Sequence, residues 1–264
     1  MARQVTILLP NYKTPDLTRL CLRLLRKHTD PDRIHVIVID NDSADDSTQY
    51  LRSLRWIQLI ERPKVPGESP SLSHSNALDQ ALASVTTPYV LSFHTDTLVK
   101  RNDWLDFLVG KISEDPNIAG VGSWKLETKS RLELVGKQIE DIWQFKIKPL
   151  FKKHAQHGPE APFLRSHCAL YRMEYVKQYH LSFGDGDTAG KIMHEKLIAH
   201  GHRMLFVPSE QLSQYLIHIN HATMVINPEL GARKRTISKG AKRSRLYLKE
   251  IGAEAILQDR SLDN

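Results

Sequence analysis

The chain has 264 residues, 41% of them hydrophobic, and a formal net charge of +7. That apolar content suffices for one large α/β core, with or without an appendage, and excludes a disordered chain. Two cysteines, Cys21 and Cys168, both in apolar surroundings, form neither a disulfide framework nor a zinc site, which suits a reducing compartment. The opening MARQVTILLP runs into a strand without a signal pattern, and no apolar stretch approaches a membrane span, so a soluble cytoplasmic protein is expected.

Gln4 to Pro10 (QVTILLP) reads as a first strand closed by the Pro10-Asn11-Tyr12 turn. Pro15 pushes the residue before it out of the α region, so the pattern predicts a helix over Leu17 to His28, capped by Asp16, with Leu20, Leu24 and Leu25 recurring at helical spacing. Ile34 to Asp40 (IHVIVID) is a second strand, running into the polar cluster Asp40-Asn41-Asp42-Ser43. A helix over Thr48 to Leu54 and a strand near Trp56 to Ile60 follow. This repeated βα pattern points to a parallel, doubly wound sheet with right-handed crossovers. Glu61 to Pro70, with three prolines and a glycine, is a loop, and Ser71 to Ser84 returns to helix with Leu72, Ala77, Leu78 and Leu82 turned inward.

Tyr89 to Phe93 is short and mostly apolar, as expected of a buried central strand, and its C-terminal end opens onto His94-Thr95-Asp96-Thr97. Ligands of open α/β sheets sit beyond the carboxyl ends of the strands, so Asp96 is placed to face a ligand or a hard divalent cation; an ordinary Asx-turn fits the same tetrapeptide. A helix from Asn102 through Leu108 and a strand over Ile118 to Trp124 come next. Lys125 to Pro162, with Lys146, Lys148, Lys152 and Lys153 around Pro149, reads as a helix pair or a loop over the site. Ser166 to Arg172 resumes a strand, and the turn Gly184-Asp185-Gly186-Asp187 leads into a helix over Thr188 to His200 with Gly201 at its C-cap. Met204 to Val207 and Tyr215 to Thr223 (YLIHINHAT) are further strands. Between Arg233 and Lys249 lie eight basic residues and no acidic one, in a final helix with Leu246, Leu248 and Ile251 on its apolar face. Such a run attracts polyanions or is simply a solvated face.

Four pieces line up in order: Leu9-Pro10-Asn11-Tyr12, Val38-Ile39-Asp40-Asn41-Asp42-Ser43, His94-Thr95-Asp96 after an apolar strand, and an acidic turn before a helix that ends at Gly201 and leads to Phe206-Val207-Pro208. Together they resemble the nucleotide-sugar glycosyltransferases of the GT-A fold, most closely the inverting family two, over roughly residues 4 to 225. The resemblance implies a doubly wound, mostly parallel α/β sheet flanked by helices. Its nucleotide-binding half is expected at about 1–124, its acceptor half at about 125–225, and a basic helical extension at 226–264. It also implies a divalent metal (Mn or Mg), a nucleotide-diphosphate sugar donor and a saccharide or lipid-linked acceptor of the kind used in cell-surface polysaccharide or glycolipid synthesis.

Residue by residue, the resemblance assigns Pro10, Asn11 and Tyr12 to the turn that lines the nucleotide base. Asp40 matches the carboxylate that accepts from the base edge, with Asp42 beside it. Ser73, His74 and Asn76 stand where the family places polar residues near the ribose and diphosphate; filler positions of a helix are the plain alternative. His94-Thr95-Asp96 resembles the DXD motif, with Asp96 at its metal-binding position and His94 and Thr95 facing the nucleotide. His94 replaces the first acidic residue, and an imidazole does not supply that negative charge. His218 and His221 are candidates for a further metal ligand, and the period of a strand points them to opposite faces. Asp187 or Asp185 matches the general base, with Asp187 favoured because it stands at the expected helix start; an N-cap is the alternative reading.

Two other classes remain open. A nucleotidyltransferase shares the fold, but Pro10 to Asp16 (PNYKTPD) lacks the glycine-rich loop of that class. A nucleotide-binding protein on a degenerate glycosyltransferase scaffold is made credible by His94. The basic run fits peripheral contact with an anionic inner leaflet, or steering of an anionic donor. Nucleic acid is disfavoured, because aromatics are not regularly interleaved in that run, which holds a single Tyr247, and no reading-head motif accompanies it.

Overall fold

The structure is a computed structural model that describes residues 3–124, 126, 161–219, 248–249 and 251–264. The expected helix pair or loop at 125–162 falls almost wholly outside the described residues, as do His221 and nearly all of the basic run.

In chain order the elements are β1 (Val5–Asn11), α1 (Pro15–His28), β2 (Ile34–Asp40), α2 (Asp46–Ser53), β3 (Ile57–Glu61), α3 (Pro70–Leu82), β4 (Tyr89–Phe93), β5 (Thr97–Val99), α4 (Trp104–Ser113), β6 (Ile118–Gly122), β7 (Cys168–Arg172), α5 (Met173–Gln178), α6 (Lys191–Ala199), β8 (Arg203–Phe206), α7 (Ser209–Leu212), β9 (Leu216–His218) and α8 (Ala253–Gln258). Short 3-10 turns cover Pro31–Arg33 and Arg260–Asp263.

Among the described residues seven strands form one sheet in the order β3-β2-β1-β4-β7-β6-β8. Only β7 runs against its neighbours β4 and β6, so the sheet is mostly parallel, as expected. Every residue of β1 and β4 is buried, whereas β3 and β8 at the two edges are partly exposed. The period of the strand sorts the core into two layers. Val5, Ile7 and Leu9 of β1 join α1, α2 and α4 on one face, while Leu8 joins α3, α5 and α6 on the other. Helices on both faces explain why the central strands are apolar throughout rather than alternating. At the β6–β7 contact Gly122 is required, since a Cβ there would stand 2.6 Å from the Cys168 carbonyl oxygen.

The helix ends follow local chemistry, with two departures from expectation. Pro15 occupies the first turn of α1, where its missing N–H is no loss, so the helix starts before Asp16 rather than being capped by it. α6 begins at Lys191, not Thr188, because Gly190 at φ 76° holds a left-handed conformation just before it. Its other end is as predicted: Gly201 has φ 85°, its N–H bonds Ile198 O at 2.9 Å, and His202 N–H bonds Leu197 O at 3.0 Å, a Schellman closure.

A short antiparallel pair, β5 with β9, lies apart from the main sheet, and β5 was not anticipated. Three residues with one polar end carry too little pattern to be seen in sequence. In the C-terminal region Gly252 at φ 63° interrupts the expected helix. Ala253 and Ile256 are buried in the same core as β1 and α1, with Leu248 and Ile251 packed against it. Arg23 of α1, only 3% exposed, clasps this end: it meets both Asp263 oxygens at 2.8 and 2.6 Å and the Ile256 carbonyl oxygen at 3.1 Å, while Tyr50 OH donates to Asp263 at 2.8 Å.

Candidate active site

The carboxyl ends of β1, β2 and β4 lie side by side, and the polar residues that follow them are drawn together there. Asn11 ends β1 fully buried and opposite Asp40, the last residue of β2. Its amide donates to Asp40 Oδ1 at 2.7 Å and to Ser47 Oγ at 2.9 Å. Asp40 also accepts from Ser43 Oγ at 2.5 Å and from Thr48 Oγ1 at 2.8 Å, and is 2% exposed. Thr18 Oγ1 donates to Asn11 Oδ1 at 2.5 Å. The Asp40 carboxylate therefore clamps the two strand ends and the start of α2 together, and it accepts from protein donors at both oxygens. Pro10 is buried within β1, Tyr12 is half-buried beside Lys13, and Asp42 is exposed with φ 58°.

Beyond β4 the chain turns through His94, Thr95 and Asp96 into β5. β9 pairs antiparallel with β5, setting His218 opposite Thr97, and Ile219 N–H donates to Asp96 O at 2.8 Å. This pairing carries His218 onto Asp96: Nε2 lies 3.3 Å from Asp96 Oδ1, and His94 Nδ1 lies 3.7 Å from the same oxygen. One ligand atom from each of His94, Asp96 and His218 fall within 4.8 Å of one another. Burial works against the charged form of Asp96, yet His218 and His94 outweigh it and hold the carboxyl well below the usual range. Asp96 Oδ1 is buried and, among the described residues, makes no hydrogen bond of good geometry, an orphaned anionic oxygen that a cation would satisfy. Two imidazole nitrogens and one carboxylate oxygen are a fitting donor set for a first-row divalent ion.

Two further histidines frame this trio, and sequence reasoning singled out only one of them. His74 of α3 lies edge-on to His94 with ring centroids 4.8 Å apart, and both Nε2 atoms approach Ser166 Oγ, at 3.3 and 3.0 Å. Burial first, and the His94 charge second, push His74 down to about 3. His167 stacks on His218 at 4.6 Å and meets Ser123 Oγ through Nε2 at 3.0 Å. Burial, then the charges of His218 and His94, push it well below an ordinary imidazole. Ser166 and His167 sit just before β7 with no motif around them, so nothing in the sequence marked them. Thr95 is buried and approaches Thr14 Oγ1 at 3.4 Å, facing α1.

Helix α3 organises the surrounding loops. Ser73 and Asn76, expected near the ribose and diphosphate, instead meet a buried ion pair: Arg62 grips Glu68 at 2.9 and 2.5 Å, Ser73 Oγ lies 3.3 Å from Arg62, and Asn76 donates to Glu68 at 2.6 Å. Further along the helix, Asp79 accepts from the backbone N–H groups of Phe183 and Gly184 at 2.6 and 2.8 Å. Ser71 Oγ donates to the Asp187 carbonyl oxygen at 2.6 Å. The acidic turn is thus fastened to α3 at both ends.

Its two carboxylates differ. Asp185 pairs with Lys196 at 2.6 Å and accepts from Ser182 Oγ, which hold it below its ordinary value. Asp187 is exposed, and its carboxylate has no ion pair or hydrogen bond among the described residues. Asp187 does not start α6, so the helix-start argument for it fails; its unengaged carboxylate is what distinguishes it. A cavity of about 180 Å³ lined by Arg26, Arg55 and Trp56 opens where β2 and β3 begin, at the other end of the strands.

No curated protein matches the chain. Among solved structures it is similar to the mannosyltransferase PcManGT from Pyrobaculum calidifontis in complex with GDP-Man and Mn2+, at 20% identity and a TM-score of 0.56, covering 79% of this chain and 55% of that one. It is also similar to S. aureus TarS 1-349, at 15% identity and a TM-score of 0.54, covering 86% and 63%, and to the same TarS fragment in complex with UDP, at 16% identity and a TM-score of 0.54, covering 81% and 60%. The chain therefore spans little more than half to under two-thirds of the length of these proteins. At such identities the likeness establishes a shared GT-A fold. The sequence profile of glycosyl transferase family 2 matches residues 6–180, more than half of the chain, and the chain belongs to that family.

Proposed function

We propose that this protein transfers a single sugar from a nucleoside-diphosphate donor to an acceptor hydroxyl, with inversion and with a divalent metal. The observation that carries the reading is the convergence of His94, Asp96 and His218 on a buried, orphaned carboxylate oxygen at the carboxyl end of the sheet. Both a GDP-Man and Mn2+ complex and a UDP complex are found among structures that share the fold.

In this reading Asp96, His94 and His218 hold the metal, which when bound neutralises charge on the diphosphate as it leaves. Two imidazoles beside one carboxylate favour Mn2+ over Mg2+, which prefers an all-oxygen shell. Pro10, Tyr12 and the exposed Asp42 border the base. Asn11 and Asp40 fix the strand ends that shape this pocket, so Asp40 acts on the base through the position of the turn. Asp187 is the base: it takes the acceptor hydroxyl proton while that oxygen attacks the anomeric carbon from the face opposite the diphosphate. The new C–O bond forms as the old one breaks, and the electron pair leaves with the diphosphate. Asp185, neutralised by Lys196, supports the turn. The basic run from Arg233 to Lys249 fits a lipid-linked acceptor met at an anionic leaflet. No helix among the described residues is long and apolar enough to cross a membrane.

A thermal-shift panel of UDP, GDP, dTDP and CMP, each with manganese, magnesium or chelator, tests the proposal on wild type and Asp96→Ala. A ligand that binds only the folded state raises the melting temperature. A metal-dependent rise with one nucleoside diphosphate, lost in the variant, supports the transferase. No rise with any nucleotide defeats it.

A further inference from the structure

The chain's own hydrogen bonds specify which nitrogen of His94 faces the metal position, and the agent is a residue with no part in any motif. His94 presents Nδ1 toward Asp96 and Nε2 toward Ser166 Oγ, 3.0 Å away. Ser166 Oγ is also 3.3 Å from His74 Nε2. A hydroxyl has one proton to give, while a neutral imidazole has one N–H and one lone pair. A ligating Nδ1 must keep its lone pair, so the His94 proton belongs on Nε2 and is donated to Ser166 Oγ. The Ser166 hydroxyl proton is then directed to Nε2 of His74, whose own proton sits on Nδ1. The edge-on packing of His74 against His94, with ring centroids 4.8 Å apart, keeps both Nε2 atoms turned to Ser166 Oγ.

We propose that Ser166 is a positioning residue: through the chain His94 Nε2–H to Ser166 Oγ–H to His74 Nε2, it locks the His94 tautomer that offers Nδ1 to the divalent ion. This rests on the metal reading above. It also accounts for His94 in place of a carboxylate. A carboxylate offers lone pairs on either oxygen, whereas an imidazole ligates only through the nitrogen that carries no proton, and an acceptor at its other nitrogen is the usual arrangement behind a metal-bound histidine. The other wall of the site is built differently, because His218 Nδ1 is buried without a hydrogen bond among the described residues and its ring is held by stacking on His167. Control of the tautomer therefore falls on His94.

The test measures Mn2+ binding to nucleotide-free protein by the electron paramagnetic resonance of the free ion, with no turnover involved, in wild type, Ser166→Ala, Ser166→Thr and Asp96→Ala. Loss of such an outer partner typically weakens metal about 10- to 100-fold, so Ser166→Ala is expected to fall in that range with an unchanged melting temperature, and Ser166→Thr, which restores the hydroxyl, to recover. Long-range 1H–15N spectra of labelled histidine should show His94 as the Nε2–H tautomer in metal-free wild type and as a mixture in Ser166→Ala. Wild-type affinity in Ser166→Ala, with binding lost in Asp96→Ala, overturns the role of Ser166 and leaves the metal site standing. Equal weakening in the Ala and Thr variants, or a His94 tautomer indifferent to Ser166, also overturns it. Failure of wild type to bind Mn2+ at all overturns both the positioning role and the metal reading.

Discussion

Replacing Glu68 with alanine strikes the pair that fastens the loop after β3 to helix α3. Arg62 and Glu68 side chains are 9% and 6% exposed, and Glu68 takes both forks of the guanidinium as well as the Asn76 amide. Without Glu68, Arg62 retains only the long contacts to Ser73 at 3.3 Å and Asn41 at 3.4 Å, and Asn76 loses its acceptor. Breaking a buried pair by removing one partner costs about 3–5 kcal/mol. Residues Pro63 to Gly67 are exposed, so the loop relaxes toward water and the lower end, about 3 kcal/mol, is expected here. At about 2–4 °C per kcal/mol for a large domain, the melting temperature should drop by about 6–12 °C. The sign with pH follows from Glu68, whose carboxyl is held below its usual value by Arg62 against the opposing effect of burial. Its contribution is complete above the unfolded-state value of about 4.3 and is lost as pH falls through the lower folded value, so the gap between wild type and Glu68→Ala should close only in acid. The double variant Arg62→Met with Glu68→Leu removes both charges and should recover most of the loss, since apolar replacement of both partners of a buried pair is often near neutral. Differential scanning calorimetry decides. A Glu68→Ala melt within about 1 °C of wild type, or a double variant no better than the single, would refute the claim that this pair is a buried, coupled unit.

Other outcomes follow from the same geometry. Asp187→Ala should lower turnover about 10²- to 10⁴-fold while leaving the nucleotide-induced thermal shift intact, as loss of a general base does; equal activity would return the role to Asp185. Asp185→Ala breaks a partly exposed pair with Lys196 and should cost less than about 1 kcal/mol in a thermal melt. Asp263→Ala removes the charged partner of the buried Arg23 guanidinium, leaving it the Ile256 and Leu257 carbonyl oxygens, and should loosen the C-terminal segment, read as faster proteolysis after Leu248. Membrane binding by the basic run is best tested by neutralising Arg233 to Arg245 with glutamine and measuring sedimentation with anionic liposomes. Deleting everything from Arg233 would also remove Ala253 and Ile256 from the core, and unchanged binding by the neutralised protein would end the membrane idea.

Much of the framework was legible because it is written locally. Fully apolar strands announced a sheet covered on both faces, and the Gly201 closure was visible because only a left-handed residue ends a helix that way. Local chemistry also misled where two signals competed. Gly190 delayed α6 past the acidic turn, and Pro15 opened α1 rather than postponing it. Ser73, Asn76 and Asp40 were recognisable as important positions, but their partners were not. Whether a polar side chain faces a ligand or another side chain depends on packing between elements distant in sequence.

The sequence by itself determined the mostly parallel α/β architecture and the family, because hydrophobic periodicity and turn chemistry act over a few residues and recur in order. Sequence nominated His218 and His74, but tertiary structure decided that they stand around Asp96, with Ser166 and His167 beside them. A strand of three residues brings His218 across, the segment before β7 supplies Ser166 and His167, and α3 supplies His74. No local pattern encodes those meetings; they follow from the sheet order, which sets β7 beside β4 and so places its preceding residues at the end of the strand that carries His94.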